Sequence, residues 1–581
     1  MLHQNTMIIL GIGSHNHDAS ASLIIDGEIV FSAAEERFDR VKHSSGFPIR
    51  AVEAALRYAG IGINQVNAIA YYMDYRKYLD WFVTERAQIG EAGEFSPDAT
   101  SEKQLSDDLL YRQNLADLRL RQTREILQYS GEVVPIEHHL AHAACAYFNS
   151  GFDDAAILTI DAIGEWETTS LSVGHNSSIK KLKSIRYPHS LGTVYKAISV
   201  FLGFGENDSG KTMGLAAYGD PTVYRHVFHD WIRLLEDGKF ELRHGYLKHQ
   251  YVARYWSRSE EDFGDLLISA FGASRKAGEE LSERDCNIAA SLQERLEEAG
   301  VHLALNLQKE TQQKNLCIAG GVGLNGVMNY RILCDTEFEN IYVPPASGDD
   351  GASLGAAQYL AHVERGEERP RSTFTPYLGS EWTEECIKDA IDEYGGKAIY
   401  VSDPAFEAAS RIAAGKVIGW FQGRSEIGPR ALGNRSILAD ARRAEMKKVV
   451  NERIKFRESF RPFAPACLAE HASDYFEMQL PSPFMLMVPP TRPDKRQVIP
   501  SVTHVDGTAR LQTVTKSNNL MFHKLLTHIY TMTGVPVVMN TSFNVRGEPI
   551  VDSPKDAIAC FRKTNLDALV IGNWVLDKPE A

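Results

Sequence analysis

Apolar and polar runs predict two similar strand-rich units in the first half of the chain. Residues 7–36, MIILGIGSHNHDASASLIIDGEIVFSAAEE, open with a short apolar strand that a polar loop follows. Two more strands come next, joined at Asp26-Gly27, a tight turn signal. Residues 155–185, AAILTIDAIGEWETTSLSVGHNSSIKKLKSI, repeat the order strand, polar loop, strand, turn, strand. The repetition indicates an internal duplication, although two unrelated β-hairpins would give the same pattern.

This duplicated layout resembles the actin, sugar-kinase and Hsp70 superfamily. In that superfamily two similar lobes face each other, and each first hairpin loop points at the phosphates of a nucleotide. The resemblance implies an α/β fold whose N-terminal domain is a duplicated, two-lobed actin-like unit.

A third element, NLCIAGGVGLNGVMNYRIL at 315–333, reads as a buried strand, a turn with Gly320 and Gly321, and a helix. Glycines let the backbone approach a ligand, and a helix N-terminus favours anions. Alone, this turn is better explained as a structural one. It gains weight because the superfamily has its adenosine-binding turn at this place in the order.

Two histidines, His138 and His142, stand four residues apart in the Ala-rich stretch PIEHHLAHAACAYF. That spacing puts both imidazoles on one helix face, where two neutral rings make a good pair of metal ligands. With 19 histidines in the chain, about one such pair is expected by chance, so the pattern alone is weak. Further on, PPASGDDGASLGAA carries Asp349 and Asp350 at a predicted helix start, as N-caps or as metal ligands.

The domain organisation follows from the segments between these motifs. Charged, helical segments at 76–128 and 222–300 are interpreted as solvated helices without an assigned role. The polar, Pro-containing stretch VERGEERPRSTFTPYLG predicts a linker. The expected division is an N-terminal domain at 1–362, a linker at 363–380 and a second α/β domain at 381–581.

The second domain contains a basic segment in an otherwise acidic protein. From Arg424 to Arg461 there are eleven Lys or Arg against five Asp or Glu, whereas the whole chain has a net charge of -14. Glycines alternate with arginines in GRSEIGPRALGNR, and planar guanidinium groups with close backbone N–H groups suit phosphate recognition. A solvated basic helix is the alternative, and it fits residues 442–448 well.

Two further stretches of this domain are interpreted as ligand-binding loops. HVDGTARLQTV at 504–514 is rich in polar side chains, and MNTSFNVRGEPIV at 539–551 follows an apolar strand. Strand ends are the usual place for ligand sites in α/β domains. Either loop alone could be a hydrogen-bonded turn, but with the basic segment they make three site-like segments in one domain.

Composition limits the class of protein. The apolar content of 44% and charged content of 24% are ordinary for a globular protein, and the negative net charge argues against a general nucleic-acid or anionic-membrane surface. Seven scattered cysteines without a CxxC pair indicate reduced thiols. Without a membrane-length apolar run or a signal peptide, we expect a cytoplasmic protein; a homodimer stays open.

Taken together, the motifs resemble the O-carbamoyltransferases of the NodU/CmcH type, which carbamoylate antibiotics, nodulation factors and related natural products. The resemblance covers nearly the whole chain. It rests on EERFDRVKH, EHHLAHAACAYF, GRSEIGPRALGNRSILAD, FRPFAPA, HVDGTARLQTV and NTSFNVRGEPIV. The N-terminal half is also similar to the tRNA threonylcarbamoyladenosine transferase, and the C-terminal half to a YrdC-like domain.

The resemblance implies a two-stage reaction. The YrdC-like domain would convert carbamoyl phosphate and Mg-ATP to carbamoyl adenylate, releasing pyrophosphate. The actin-like domain would then transfer the carbamoyl group to a hydroxyl of a small-molecule acceptor, releasing AMP. A bound metal can hold the phosphate of the adenylate and polarise its carbonyl.

By position, the resemblance also implies the site residues. His138, His142, Asp161 and Asp349 match its metal ligands, which suit Fe(II) first and Mn(II) or Zn(II) as alternatives. His17, beside Asp18, matches its proposed general base. The remaining assignments are Lys42 with the catalytic group; Lys211, Gly320, Gly321 and Asn325 at the nucleotide; and Arg430, Lys455, Arg461, Arg510, Asn540, Ser542 and Arg546 at carbamoyl phosphate and ATP.

Two departures and three alternatives qualify this picture. Ala162 follows Asp161 where relatives usually carry glycine, and GFGENDSGKTMGLAAYG is shorter than in many relatives, which puts the role of Lys211 in doubt. A tRNA-modifying enzyme would want a basic face, which a net charge of -14 disfavours. A sugar kinase needs no HxxxH helix and no Arg-rich second domain, and an ATP-dependent chaperone or filament would not need His17.

Overall fold

A computed structural model of the protein describes residues 6–77, 117–248, 263–369, 374–395 and 397–578. The predicted segments 76–128, 222–300 and 363–380 therefore lie partly outside the described residues. Within them, the structure shows a helix at 117–127 and three helices between 222 and 311.

The first predicted hairpin lies in a five-stranded sheet. Its strands are β1 Ile8–Gly13, β2 Ser20–Ile25, β3 Glu28–Ala34, β4 Ala68–Tyr71 and β5 Glu132–Pro135. Their order is β3-β2-β1-β4-β5, with β1, β2 and β3 antiparallel and β4 and β5 parallel to β1. Asp26 and Gly27 both adopt positive φ, 50° and 79°, which is the geometry that tight hairpin turns select.

A second five-stranded sheet repeats this order, so the predicted duplication is confirmed. Its strands are β6 Asp154–Ile160, β7 Glu167–His175, β8 Ser178–Arg186, β11 Asn315–Ala319 and β12 Asn340–Tyr342, in the order β12-β11-β6-β7-β8. The hairpin strands are again antiparallel, and β11 and β12 are again parallel to the first strand. A small two-stranded sheet, β9 Ile232–Leu234 and β10 Phe240–Leu242, is inserted between β8 and β11.

The remaining strands form one mixed, eight-stranded sheet. They are β13 Ala398–Tyr400, β14 Ile418–Phe421, β15 Arg435–Asp440, β16 Ala464–Leu468, β17 Gln512–Val514, β18 Val537–Ser542, β19 Ala568–Ile571 and β20 Trp574–Asp577. The order is β13-β20-β19-β14-β15-β18-β16-β17. The whole chain is thus mixed α/β, and the YrdC-like assignment of this part stays a prediction.

The helices cover and connect these sheets. The α-helices are Glu36–Asp39, Ile49–Ala59, 117–127, His138–Asn149, Leu191–Phe201, Ser209–Ala216, Arg225–Trp231, Asp265–Phe271, Glu283–Thr311, Gly326–Asp335, Ala352–Gln358, Glu384–Tyr394, Pro404–Ala413, Met446–Val450, Ala472–Tyr475, Leu520–Thr533 and Pro554–Lys563. Short 3₁₀ helices are Ile63–Gln65, Gly321–Leu324, Asp349–Gly351 and Ala469–His471, and π-helical turns are Tyr359–Glu364 and Asn451–Lys455. None of the helices in the described ranges is long and apolar enough to cross a membrane.

Two helices lie between the five-stranded sheets and bring the sheets together. Helix His138–Asn149 packs on β6 and β11, and helix Ala352–Gln358 packs on β1 and β2. Where the helices meet, a side chain at Gly355 would collide with the carbonyl of Ala141. The small residues of both helices therefore permit the close approach that places their N-terminal ends at one point.

The predicted linker packs against the protein where it is described. Leu378 is buried, and its carbonyl accepts hydrogen bonds from the backbone of Ser32 and the guanidinium of Arg424. Polar, Pro-containing composition reports little about such contacts, because the neighbouring domain supplies them. The predicted boundaries of the domains stay a prediction.

Candidate metal centre and anion site

Four buried side chains from three parts of the N-terminal half converge at one point: His138, His142, Asp161 and Asp349. The two histidines lie one turn apart on their helix. Asp161 follows the last residue of β6, and Asp349 begins the 3₁₀ turn before helix Ala352–Gln358. One ligand atom of each lies within 4.8 Å of the others.

The spacing of these atoms fits a single cation. The Nε2 atoms of His138 and His142 are 3.0 Å apart, and each is 3.1 Å from Oδ2 of Asp161. Each is 3.5 Å from Oδ1 of Asp349. Metal–ligand bonds of about 2.1 Å place two ligands roughly 3.0 Å apart at a right angle and roughly 3.4 Å apart at the tetrahedral angle. The observed distances span these two values.

The electrostatics of the cluster also favour a cation. Burial lowers the pKa of His142, but hydrogen bonds and charge from Asp161 and Asp349 outweigh it and raise the pKa to about 10. Burial would raise the pKa of Asp161, yet bonding to His138 and His142 holds it well below its usual range. The two carboxylates thus draw positive charge into the site, and a divalent cation satisfies them while both imidazoles stay neutral.

His139, between the two histidine ligands, lies outside this cluster. Its two ring nitrogens are buried without hydrogen-bond partners. Burial, with charge from His138, holds its pKa well below the usual value. His139 is therefore a neutral histidine next to the centre.

The first hairpin loop faces the same centre. Nδ1 of His17 lies 2.9 Å from Oδ2 of Asp18 and 4.0 Å from Oδ2 of Asp349. Burial lowers the pKa of His17, but these two carboxylates outweigh it and raise the pKa to about 9. A divalent cation on Asp349 opposes that shift, because it neutralises the carboxylate whose charge raises the pKa most.

The residues that the sequence assigned to nucleotide contact occupy varied environments. Gly321 donates its backbone N–H to Oδ1 of Asp161 at 3.3 Å, and Gly320 has a φ of 86° that favours glycine. The side chain of Asn325 caps a helix by accepting from Met328 and also bonds Gln293. Their nucleotide contacts stay a prediction.

Two predicted site lysines, Lys211 of the nucleotide group and Lys42 of the catalytic group, lie where the N-terminal half meets the C-terminal sheet. Lys211 forms salt bridges with Asp208 at 2.8 Å and with Glu458 at 3.4 Å. Lys42 is exposed, and its charge acts on Asp208 and on Lys455. Both lysines therefore stand between the two halves of the chain.

Four half-buried arginines form a cationic cluster beside the eight-stranded sheet: Arg430, Arg457, Arg461 and Arg510. Partial burial and the neighbouring guanidinium groups lower the pKa of Arg430 to about 10 and that of Arg457 to about 9. The pKa of Arg510 is also lowered, by burial and by the charges of the other three. Within the described residues, the side chains of Arg430, Arg461 and Arg510 make no hydrogen bond or salt bridge, and the Nε atoms of Arg430 and Arg510 are buried.

Lys455 adjoins this cluster and is held by the loop after β18. Its Nζ donates to the backbone and side chain of Ser542 and of Asn544. Asn540, in the same strand, is buried and bonds Ala431 and Gln512. Arg546 is more than half exposed and pairs with Glu458.

A cavity of 320 Å³ opens next to the arginines, between the N-terminal half and the C-terminal sheet. Its lining from the C-terminal side includes Arg510 and His504. From the other side it includes Gly214, Tyr218 and Gln293. Arg510 therefore connects the arginine cluster with this cavity.

Sequence reasoning missed three residues of these sites. Asn16 donates to Oδ2 of Asp349 at 3.1 Å, and Nδ1 of His43 lies 2.7 Å from Oδ1 of Asp18. Arg457 belongs to the arginine cluster. Asn16 precedes the predicted His17, His43 follows the predicted Lys42, and Arg457 lies in the basic segment. No sequence pattern distinguishes these three residues from their neighbours.

Comparison with known proteins identifies related chains over the full length. The family models Carbamoyltransferase N-terminus and Carbamoyltransferase C-terminus match residues 8–358 and 409–578. The uncharacterized protein sll1178 of Synechocystis sp. is 39% identical, covering 98% of this chain and 96% of its own. The nodulation protein NolNO of Sinorhizobium fredii is 37% identical, covering 100% and 81%. Among solved structures, HypF of T. kodakarensis is 14% identical with a TM-score of 0.31, over 64% of this chain and 49% of its own.

Proposed function

The chain belongs to the carbamoyltransferase family, and we propose that it is an ATP-dependent O-carbamoyltransferase with two reaction centres. The C-terminal domain, YrdC-like in fold, makes carbamoyl adenylate. The actin-like N-terminal domain transfers the carbamoyl group to a hydroxyl of a small-molecule acceptor. No nucleic acid or membrane takes part.

The observation that carries this proposal is the arginine cluster. Guanidinium groups that are partly buried, close together and without carboxylate partners cost free energy unless an anion joins them. Substrates with several phosphate oxygens, such as ATP and carbamoyl phosphate, supply that charge and match the planar donors of arginine. Arg430, Arg461 and Arg510 are the three with no side-chain partner in the described ranges.

The first step consumes water as well as the two phosphorylated substrates. Carbamoyl phosphate, ATP and water give carbamoyl adenylate, pyrophosphate and phosphate. The arginines orient the phosphates and stabilise the charge that moves to the leaving groups. Lys455, fixed by Ser542 and Asn544, adds a further cation at the edge of the site.

The second step uses the histidine and aspartate cluster. His138, His142, Asp161 and Asp349 would hold a divalent metal, Fe(II) first, with Mn(II) or Zn(II) as alternatives. When bound, the metal supplies a Lewis acid for the phosphate and carbonyl of the adenylate. Asn16 fixes the outer oxygen of Asp349 through its amide.

His17 takes the proton of the acceptor hydroxyl. The acceptor oxygen forms a bond to the carbamoyl carbon, the bond from that carbon to the phosphate oxygen breaks, and AMP leaves. Asp18 accepts from Nδ1 of His17, which leaves Nε2 free for the proton. With 40% of its side chain exposed, His17 can reach a bound acceptor.

The test is a direct assay of the purified protein. We expect pyrophosphate release only when ATP and carbamoyl phosphate are both present. With a set of hydroxylated acceptors, mass spectrometry should detect a gain of one carbamoyl group together with AMP. Pyrophosphate release independent of carbamoyl phosphate, or phosphorylated acceptors, would contradict the proposal and favour a kinase.

A further inference from the structure

We propose that His43 is a positioning residue, which fixes the catalytic imidazole of His17 through the carboxylate of Asp18. This inference rests on the proposed function, because it concerns the base of the transfer step. The carboxylate of Asp18 lies between two imidazoles. Its Oδ1 is 2.7 Å from Nδ1 of His43, and its Oδ2 is 2.9 Å from Nδ1 of His17.

The direction of these hydrogen bonds follows from the chemistry of the groups. A carboxylate can only accept, so both Nδ1 atoms carry hydrogen. His17 in its neutral form then presents a lone pair at Nε2, the atom that has to take a proton from the acceptor. The tautomer of His17 is thus set by Asp18.

Asp18 needs a second partner to hold this geometry, because another carboxylate is nearby. Oδ2 of Asp349 lies 4.0 Å from Nδ1 of His17. A rotation of Asp18 would release the His17 ring, and Asp349 could then accept a hydrogen bond from either ring nitrogen. The bond from His43 to Oδ1 fixes the plane of the Asp18 carboxylate and keeps Oδ2 directed at His17.

The backbone around the two residues supports this role. Asp18 and His43 both adopt left-handed conformations, with φ of 58° and 56°. Such conformations are uncommon for residues other than glycine and persist where surrounding contacts enforce them. The backbone bond from Ala19 to Ser44, at 2.8 Å, joins the two loops beside the Asp18–His43 contact, and Glu36 accepts from the backbone N–H of His43.

Packing does not explain His43, because 29% of its side chain is exposed. Its ring makes one side-chain hydrogen bond in the described structure, and that bond goes to Asp18. A partly exposed ring whose one hydrogen bond goes to the partner of the base is best explained by that bond.

The experiment compares three variants of the full-length, metal-loaded protein. In His43→Ala, kcat for carbamoyl transfer should fall about 100-fold, the size expected from misplacing a reacting group by about 1 Å, while KM for the acceptor stays unchanged. His43→Asn keeps an N–H donor close to the Nδ1 position and should restore most of kcat. Val41→Ala, an exposed change in the same segment, is the matched control and should behave like wild type.

Two readouts keep this inference separate from the proposed function. Pyrophosphate release from ATP should be the same in all three variants. Nitrogen NMR of labelled histidine in the zinc-loaded protein, assigned with His17→Asn, should show the Nδ1–H tautomer of His17 in wild type and His43→Asn but a mixture in His43→Ala. This second readout does not depend on which group the enzyme transfers.

Three outcomes would overturn the inference. One is wild-type transfer by His43→Ala. Another is an unchanged tautomer of His17 in that variant. The third is the loss of one equivalent of metal, because Asp18, Glu36 and His43 are close enough to share a cation and would then be ligands.

Discussion

At the scale of single residues, His142 serves the metal centre and not the packing of its helix. Its Nε2 lies within 3.5 Å of three other ligand atoms. We therefore expect His142→Ala to lose the bound metal and carbamoyl transfer while the fold survives. His139→Ala, a buried histidine one helix position along from His138, is the matched control and should keep the metal. Metal analysis of the purified variants measures this, and an unchanged metal content in His142→Ala would contradict the assignment.

The arginines give a second prediction at this scale, in their response to an anion. Partial burial and the neighbouring guanidinium groups lower the pKa values of Arg430 and Arg457, yet a guanidinium keeps its charge in proteins. The mutual repulsion of these groups therefore opposes folding, and a polyphosphate anion relieves it. Pyrophosphate should raise the melting temperature, because a ligand at 100 times its Kd adds about 2.7 kcal/mol. The increase should shrink as added salt screens these charges.

Melting curves with and without pyrophosphate, at several salt concentrations, measure this effect. Arg443→Ala removes a salt-bridged, largely exposed arginine of the same basic segment and should retain the full increase. Arg457→Ala should lose part of it. An increase of the same size in Arg457→Ala and in wild type would show that the anion binds elsewhere.

At the scale of elements, the segment Glu36–Ser44 connects the transfer centre with the C-terminal domain. Arg40 donates to the carbonyls of Ile550 at 2.7 Å and Pro549 at 2.9 Å, in the segment that follows β18 and Ser542. Three residues further on, His43 contacts Asp18.

Arg40→Ala should therefore weaken the docking of the two domains. Hydrogen bonds from a charged group contribute about 1.5–3 kcal/mol, so the variant should melt earlier and lose coupled carbamoylation more than pyrophosphate release. Arg57→Ala, in the neighbouring helix, is the control. Equal losses of both activities would contradict a docking role.

Local rules found the elements but not the contacts between them. The turn at Asp26-Gly27 and the shared helix face of His138 and His142 follow from short sequence patterns, and both are present. The approach of Asp161 and Asp349 to that face depends on two sheets and a helix pair, and resemblance to a family indicated it where spacing could not.

The contacts of Lys211 and His43 show the limit more clearly. Lys211 pairs with Glu458 across the two halves of the chain, and His43 meets Asp18 where both residues adopt left-handed backbone conformations. Neither contact can be predicted from hydrophobic periodicity, because each depends on how segments distant in sequence pack together. The predicted linker is partly buried for the same reason, because Leu378 packs against residues distant in sequence.

At the scale of the whole molecule, the two centres divide the reaction, and Arg510 tests the division. Its guanidinium lies in the cluster beside the eight-stranded sheet, whereas the metal ligands lie between the two five-stranded sheets. Arg510→Ala removes a cation from the phosphate site only. The variant should therefore lose the ATP-dependent formation of carbamoyl adenylate and still transfer the carbamoyl group from adenylate supplied ready-made.

The two activities of this one variant control each other, because retained transfer shows that the protein is folded and loaded with metal. His142→Ala should give the mirror image, with pyrophosphate release intact and transfer lost. Arg443→Ala should keep both steps. If Arg510→Ala lost both steps equally in a folded protein, the arginines would serve the transfer centre as well, and the chain would hold a single composite site across its domains.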